Sequence, residues 1–257
     1  GVDFFSDGRA ALSTMAGDVW VVSGIDAELK NRQWKRFAAG LNFPLGLKIV
    51  DNIVHVLDRN QITRLHDING DGEADWYENF NNECQTANPR EGFHMDLHTD
   101  RAGNFYFAGD NHYDRTEHRN TIMKLSKDGS KLEIYATGLR AANGMGMGPN
   151  DELTIADNQG EWTPSCPLNL VRPGGYYGFP AGARTDPPPE RDFPICWIPY
   201  DKDNSSGGQV WAGSQFGPLS GKMFHMSYGK CSFFYVLTEN VASDAGATSV
   251  QVPVFDW

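Results

Sequence analysis

An all-β fold built from repeated short antiparallel units is what this sequence predicts, and three observations carry the prediction. Twenty-eight glycines and fourteen prolines are spread along 257 residues rather than bunched, which suits many short strands joined by tight turns. No stretch of apolar periodicity is long enough to demand a helix. A third sign is a recurring phrase: a turn of Gly, Asp or Asn, a short run of aromatic and β-branched residues, then a polar break.

The phrase stands at Gly17-Asp18-Val19-Trp20-Val21-Val22, at Asn52-Ile53-Val54-His55-Val56-Leu57 and at Gly103-Asn104-Phe105-Tyr106-Phe107. It returns at Asp151-Glu152-Leu153-Thr154-Ile155 and at Gly221-Lys222-Met223-Phe224-His225-Met226. Counted from their first residues, the copies lie 35, 51, 48 and 70 apart, around the roughly 40 to 50 residues of a four-stranded propeller blade. No copy can bury both its faces alone, and radial stacking does so. The architecture expected is therefore a β-propeller in a single domain, 1–257, with a plain β-sandwich as the alternative. Second strands follow at Ile62-Thr63-Arg64-Leu65 and at Thr121-Ile122-Met123-Lys124-Leu125, the latter before the turn Lys127-Asp128-Gly129. Five blade-like units are counted by residue 240, with a sixth beginning near Trp257, so the chain reads as a fragment of a longer protein.

The widest gap holds Pro187-Pro188-Pro189 and the stretch 161–167. Proline cannot donate to a central ladder, so both are expected outside central strands, in a long ordered excursion. Cys166 and Cys196 bracket this insertion, and of the three ways to pair Cys84, Cys166, Cys196 and Cys231 a Cys166–Cys196 disulfide is favoured, with buried free thiols as the alternative.

Thirty-three acidic against twenty-two basic side chains give a net charge of -11, which repels nucleic acid and anionic membrane surfaces. No apolar run approaches the roughly 20 residues of a membrane span. The absence of any CxxC pair excludes zinc ribbons, thioredoxin-type sites and c-type haem attachment within this chain.

The sharpest chemical motif runs from Asp67 to Glu78: Asp67-Ile68-Asn69-Gly70-Asp71-Gly72-Glu73-Ala74-Asp75-Trp76-Tyr77-Glu78. It matches the calcium-loop pattern at positions 1, 3, 5, 6, 9 and 12. Calcium takes six to eight hard oxygens on a curled backbone. Asp67, Asn69, Asp71, Asp75 and Glu78 offer side-chain oxygens, Glu73 its carbonyl, and Gly72 the turn. Strand-like flanks argue against EF-hand helices, so the ion is expected to clasp a hairpin, with Glu78 the least secure ligand.

In Gly92-Phe93-His94-Met95-Asp96-Leu97-His98, alternation places His94, Asp96 and His98 on one strand face. Two readings stay open. The polar set could face a central channel as general base or metal ligand, or hydrogen-bond neighbouring blades. His112 and His118, in a polar irregular loop, are expected to be solvent-exposed.

Several stretches resemble the soluble glucose and sorbosone dehydrogenase-like propellers. Val2-Asp3-Phe4-Phe5-Ser6-Asp7-Gly8-Arg9 and Gly17-Asp18-Val19-Trp20 are similar to the first blade of that family. Gly138-Leu139-Arg140-Ala141-Ala142-Asn143-Gly144-Met145, then 149–158, then Gly174-Gly175-Tyr176-Tyr177-Gly178-Phe179-Pro180 follow its order. Asp157-Asn158-Gln159-Gly160-Glu161-Trp162-Thr163-Pro164 and Phe216-Gly217-Pro218-Leu219-Ser220-Gly221-Lys222 resemble the branch found in large planctomycete-type secreted proteins, where a propeller precedes helical repeats and a c-type haem domain.

The resemblance implies a six-bladed propeller that holds pyrroloquinoline quinone (PQQ) and oxidises a sugar hydroxyl by base-assisted hydride transfer. By position it assigns the catalytic base to His94 and quinone contacts to Arg140 and Asn143; the family's asparagine directly follows the arginine, where this chain has Ala141. It implies a small-molecule or carbohydrate ligand, a haem domain or cytochrome as electron acceptor, and a periplasmic or secreted location. A noncatalytic carbohydrate- or protein-binding scaffold propeller is the alternative function. Calcium-dependent lactone hydrolysis would need a metal in the channel, whereas the motif lies in a hairpin.

Overall fold

The structure, a computed structural model, describes residues 1–86, 92–110, 116–158, 163–239 and 249–251. Among these, twenty strands form five four-stranded sheets, each in sequential strand order. The first sheet holds β1 (Val2–Phe4), β2 (Ala10–Ser13), β3 (Val19–Ser23) and β4 (Gln33–Ala38). The second holds β5 (Gly46–Val50), β6 (Ile53–Leu57), β7 (Ile62–His66) and β8 (Trp76–Asn81). The third is β9 (Phe93–Thr99), β10 (Phe105–Asp110), β11 (Thr121–Leu125) and β12 (Leu132–Thr137). The fourth is β13 (Ala142–Met147), β14 (Leu153–Asp157), β15 (Ser165–Leu170) and β16 (Cys196–Pro199). The fifth is β17 (Ser206–Trp211), β18 (Met223–Ser227), β19 (Ser232–Glu239) and β20 (Ser249–Gln251). The chain is all-β, and the five sheets are blades of the propeller kind.

The repeated phrase marks the second strand of the second to fifth blades, β6, β10, β14 and β18, but the third strand of the first blade, β3. That offset explains why the first spacing, 35 residues, is the shortest. The middle strands read as continuous apolar runs because both their faces are covered: every residue of β14, and Val54 to Leu57 of β6, is buried.

Two compact units divide the chain, the first holding the first two blades and part of the third, the second the remainder. In the first, Phe5, Ala11, Val19, Val21, Ala38, Leu47, Val54, Val56 and Leu65 form one apolar cluster across two blades. Full burial of each larger side chain contributes roughly 1.5–3 kcal/mol. In the second, Ala156, Leu168, Met223 and Val236 do the same for the fourth and fifth blades. First strands of consecutive blades run side by side, β1 with β5 and β5 with β9 in the first unit, β13 with β17 in the second. A Cβ on Gly46 would meet the Asp96 carbonyl at 2.6 Å, so glycine is what lets β5 approach β9.

Two expectations are corrected. Pro167 lies within β15, an inner strand of its sheet. Pairing with β14 ends at Leu168, so Pro167 stands where β15 is paired on one side, to Trp197, and the missing donor costs no ladder bond on the β14 side. The excursion itself runs through 183–195 and carries the three prolines outside any strand. All four cysteines are free thiols. Cys166 pairs with Ile198 and Cys196 with Leu168, a diagonal offset on β15 and β16 that exceeds typical disulfide reach. Burial pushes the Cys84 and Cys196 thiols up to about 12, so both stay protonated.

Candidate functional site

The 67–75 loop joins β7 to β8, so strands and not helices flank it, as its sequence predicts. Its backbone is wound around the Asp67 carboxylate. Gly70 and Asp71 donate their N–H groups to Oδ1, at 2.7 and 3.2 Å, and Gly72 donates to Oδ2 at 2.8 Å. Gly70 and Gly72 both have positive φ, 77° and 85°, which the tight curl requires. Asn69 Oδ1 accepts from Asp71 N at 2.8 Å, and Asp71 Oδ1 from Glu73 N at 2.9 Å. Asp75 closes the ring, accepting from Ile68 N at 2.8 Å and from the Asn69 amide at 3.0 Å. The Lys35 ammonium donates to the Asp71 carbonyl and lies 3.7 Å from Glu73 Oε1, tempering the acidic loop.

Glu78 is placed apart from this ring. It sits on β8 opposite Arg64, and its Oε2 is 2.8 Å from His66 Nε2 and 3.8 Å from an Arg64 terminal nitrogen. The strand register carries its side chain to β7 and away from the loop. Among the described residues, no group of three or more His, Cys, Asp or Glu side chains is gathered tightly enough to hold a metal unaided.

His94, on β9, is 2% exposed. Its Nδ1 donates to the Arg59 carbonyl at 2.7 Å, a bond from the third blade to the chain that follows β6 of the second. The carbonyl can only accept, so the proton is on Nδ1 and Nε2 is the basic nitrogen. Phe107 meets the ring edge-on, centroids 5.6 Å apart. The expected common face of His94, Asp96 and His98 is not formed. Asp96 has φ 58°, which breaks the alternation, so His94 and Leu97 are the buried residues. His112 lies outside the described residues. His118 is half-buried rather than exposed, its Nδ1 accepting from Gln85 N at 3.0 Å.

In the second unit, Arg140 and Asn143 sit just before and within β13. Asp157, the last residue of β14, accepts from Arg140 N and Ala141 N, both at 2.7 Å. The Asn120 amide donates to the Arg140 carbonyl at 3.2 Å, fixing the turn from both sides. The register of β13 shifts between Ala142 and Met145, and within this irregularity Asn143 is exposed. The Nε of Arg140 is buried and has no hydrogen-bond partner. So is the Nε of Arg191, a residue whose charge interacts with Asp157 and whose guanidinium lies 4.6 Å over the Trp197 ring. Burial holds Arg191 below the usual guanidinium range, with Asp157 opposing. Asp157 entered the sequence reading only as the first residue of a resembling stretch, with no role assigned, and Arg191 escaped it, because a lone arginine in a proline-rich excursion carries no motif. Two buried N–H donors without acceptors are what an anionic, carboxylate-bearing ligand such as PQQ would satisfy.

The fold and these sites define an all-β protein of the propeller type. No family model matches the chain, and no curated protein matches it. Solved structures do. The chain is similar to the PQQ-bound form of an aldose sugar dehydrogenase from Streptomyces coelicolor, with 14% identity, TM-score 0.70, and coverage of 99% of this chain and 80% of that one. It is similar to the apo form of the soluble aldose sugar dehydrogenase from Escherichia coli, with 12% identity, TM-score 0.67, and coverage of 98% and 84%. A calcium structure of a Trichoderma reesei enzyme of carbohydrate-active family AA12 matches with 12% identity, TM-score 0.70, and coverage of 100% and 83%. At such identities what is shared is the fold. No helix among the described residues is long and apolar enough to cross a membrane.

Proposed function

We propose that this chain is a sugar-dehydrogenase-like propeller, six-bladed in the whole protein, that oxidises a sugar or aldose hydroxyl with bound PQQ. The observation that carries the reading is the pair of buried, unpartnered Nε atoms of Arg140 and Arg191 about Asp157. PQQ, when bound, supplies the two-electron acceptor. Arg140 and Arg191 would neutralise its carboxylates and the exposed Asn143 amide would add a donor, while Asp157 holds the Arg140 turn in place. His94, in the first unit, is assigned the base by the resemblance in sequence, with its Nδ1–H anchored on the Arg59 carbonyl. The electrons pass to a haem domain or cytochrome outside this chain, in a periplasmic or secreted setting of the planctomycete kind that the sequence resembles.

Calcium is assigned to the β7–β8 loop, with oxygens from Asp67, Asn69, Asp71 and Asp75 and the Glu73 carbonyl. The backbone already curls inward there, and Asp67 Oδ2, Asn69 Oδ1, Asp71 Oδ1 and Asp75 Oδ1 each accept one N–H and keep a second lone pair. Glu78 is left out because His66 holds it. A chelator is expected to lower the melting temperature by a few degrees, with recovery on adding calcium but not magnesium; no change would remove the ion from the fold.

A second reading, a noncatalytic carbohydrate- or protein-binding scaffold, is favoured by the 2% exposure of His94. One experiment separates the two. PQQ is titrated into the protein with calcium and followed by absorbance, then dye reduction is measured with a panel of aldoses. Binding at micromolar PQQ, weakened at least tenfold by Arg140→Ala, is expected. Turnover is expected to fall at least 100-fold in His94→Ala with PQQ affinity unchanged. Absence of binding would leave the scaffold.

A further inference from the structure

A cleft of about 500 Å³ opens in the first unit where the β5–β6, β9–β10 and β11–β12 turns come together. Its walls combine apolar surface, from Ile49, Val50 and Phe105, with three cations, Arg64, Arg101 and Lys127. Such concentration of positive charge stands out in a chain of net charge -11. The cleft lies at the Thr99 end of β9 and His94 near its beginning, so it is separate from the base assigned above.

Arg64 is held in an unusual way. Its Nε donates to His55 Nε2 at 2.8 Å, and its guanidinium carbon lies 3.8 Å over the Phe80 ring. His55 is 1% exposed, and its Nδ1 donates to the Ile53 carbonyl at 3.1 Å, which puts the lone pair on Nε2 where Arg64 needs it. Phe80 and Phe105 box the imidazole, centroids 5.3 and 5.1 Å away. Burial, and then the Arg64 charge, push His55 down to about 4, so it is neutral at ordinary pH and neutralises nothing. The acidic groups nearby are otherwise engaged or at the margin. Asp100 accepts from its own turn, Asn104 N and Nδ2 at 2.8 Å each and Tyr106 Oη at 3.1 Å. Glu78 is 3.8 Å from Arg64 but hydrogen-bonded to His66. Asp51 is exposed at the tip of the β5–β6 turn.

We propose that this cleft binds a sugar-sized molecule bearing an oxyanion, a carboxylate or a sulfate ester, with Arg64 as the preorganised anchor and Arg101 and Lys127 as the rim. A planar guanidinium fixed at Nε by an uncharged acceptor keeps its two terminal amino groups for bidentate recognition. Holding it beforehand reduces the ordering cost of binding. The volume suits a mono- or disaccharide, and the apolar wall suits a ring face. This reading stands whether or not PQQ binds.

The test is calorimetric titration of the full chain, without PQQ, with D-glucuronate, glucose 6-sulfate and neutral D-glucose. Both anions are expected to bind at least tenfold more tightly than glucose, with affinity falling as salt rises. The tighter of the two identifies the oxyanion. Arg64→Lys should weaken anion binding at least tenfold. Because Arg64 also packs on Phe80, the exposed pair Arg101→Gln with Lys127→Gln serves as the second variant, with a three- to tenfold loss at unchanged melting temperature. Equal affinity for glucose and glucuronate, no anion binding, or binding unmoved by the rim pair would overturn the proposal.

Discussion

His55 and His225 are both buried to about 1% or less, yet their surroundings lead in opposite directions. His225, on β18, is closed in. Its Nε2 donates to Asp203 Oδ2 at 2.8 Å, its Nδ1 accepts from the Gln209 amide at 3.0 Å, and its ring stacks on Phe234. Asp203 also accepts from Ser206 at 2.5 Å, and Gln209 accepts from Thr154 at 2.9 Å. Each partner is itself buried. Burial works against the Asp203 carboxylate, but the hydrogen bonds from His225 and Ser206 outweigh it and hold Asp203 below the usual carboxylate range. His55 instead spends its lone pair on Arg64, whose charge is left facing a cleft. A buried histidine beside a carboxylate completes a structural network; one beside an arginine fixes a cation for something else. The kind of partner, more than the degree of burial, separates scaffold from site.

The largest effect should follow from opening the closed network. Asp203→Ala removes the acceptor of both His225 and Ser206 at full burial, and a loss of about 3 kcal/mol is expected. Asp203→Asn keeps one oxygen and should cost less. Urea denaturation of the two variants measures this, and a loss below about 1 kcal/mol for the alanine would show that the network is not a structural unit.

Next in size is a pair of opposed pH effects in the first unit. His55 is lowered from 6.5 to about 4, so the unfolded chain takes up its proton first and the folded state loses stability as pH falls through 6.5 towards 4. Asp58, next to the Arg59 that anchors His94, is raised from 3.8 to about 6, chiefly by burial and against the hydrogen bonds from Thr63 and the Asn42 backbone. Its sign is opposite: the folded state loses stability as pH rises from 3.8 through 6. The shifts are of similar size, so in the parent protein the two slopes should largely cancel between pH 4 and 6. His55→Gln should unmask a stability that declines with rising pH by about 2 kcal/mol, and Asp58→Asn one that rises by a similar amount. At pH 7, Asp58→Asn should stabilise by about 1–2 kcal/mol. Melting curves from pH 4 to 7 decide it, and parallel profiles for parent and variants would break the comparison.

Much of the fold was legible because strands covered on both faces announce themselves as apolar runs between turns; β6 and β14 were visible for that reason. Pro167 misled, because whether a proline breaks a ladder depends on which neighbour its missing N–H would face, and this is set by β14 ending its pairing at Leu168. The 67–75 loop could be read because its ligand-type residues are contiguous. The Arg64 anchor could not, since His55, Arg64, Arg101 and Lys127 come from different strands and turns. His94 was noticed for its strand, but the shift at Asp96 that determines what it faces is a backbone event with no signature in residue type. Glu78 shows the same limit in reverse: a motif position fits the spacing while the register turns the side chain elsewhere.

That last residue gives the smallest and most selective test. Glu78 lies between the two features of the second blade, nominally the twelfth position of the acidic loop, yet hydrogen-bonded to His66 and 3.8 Å from Arg64. Its side chain and that of Arg64 are each about 30% exposed, so Glu78→Gln should change stability by less than about 1 kcal/mol. Removing the charge leaves Arg64 less compensated, and anion affinity in the cleft should rise two- to threefold while the thermal shift produced by calcium stays as it was. A calcium ligand at this position would give the reverse, a weakened calcium shift with anion binding untouched. Parallel calcium and glucuronate titrations of the one variant therefore decide whether Glu78 serves the loop or restrains the cation that His55 holds in place.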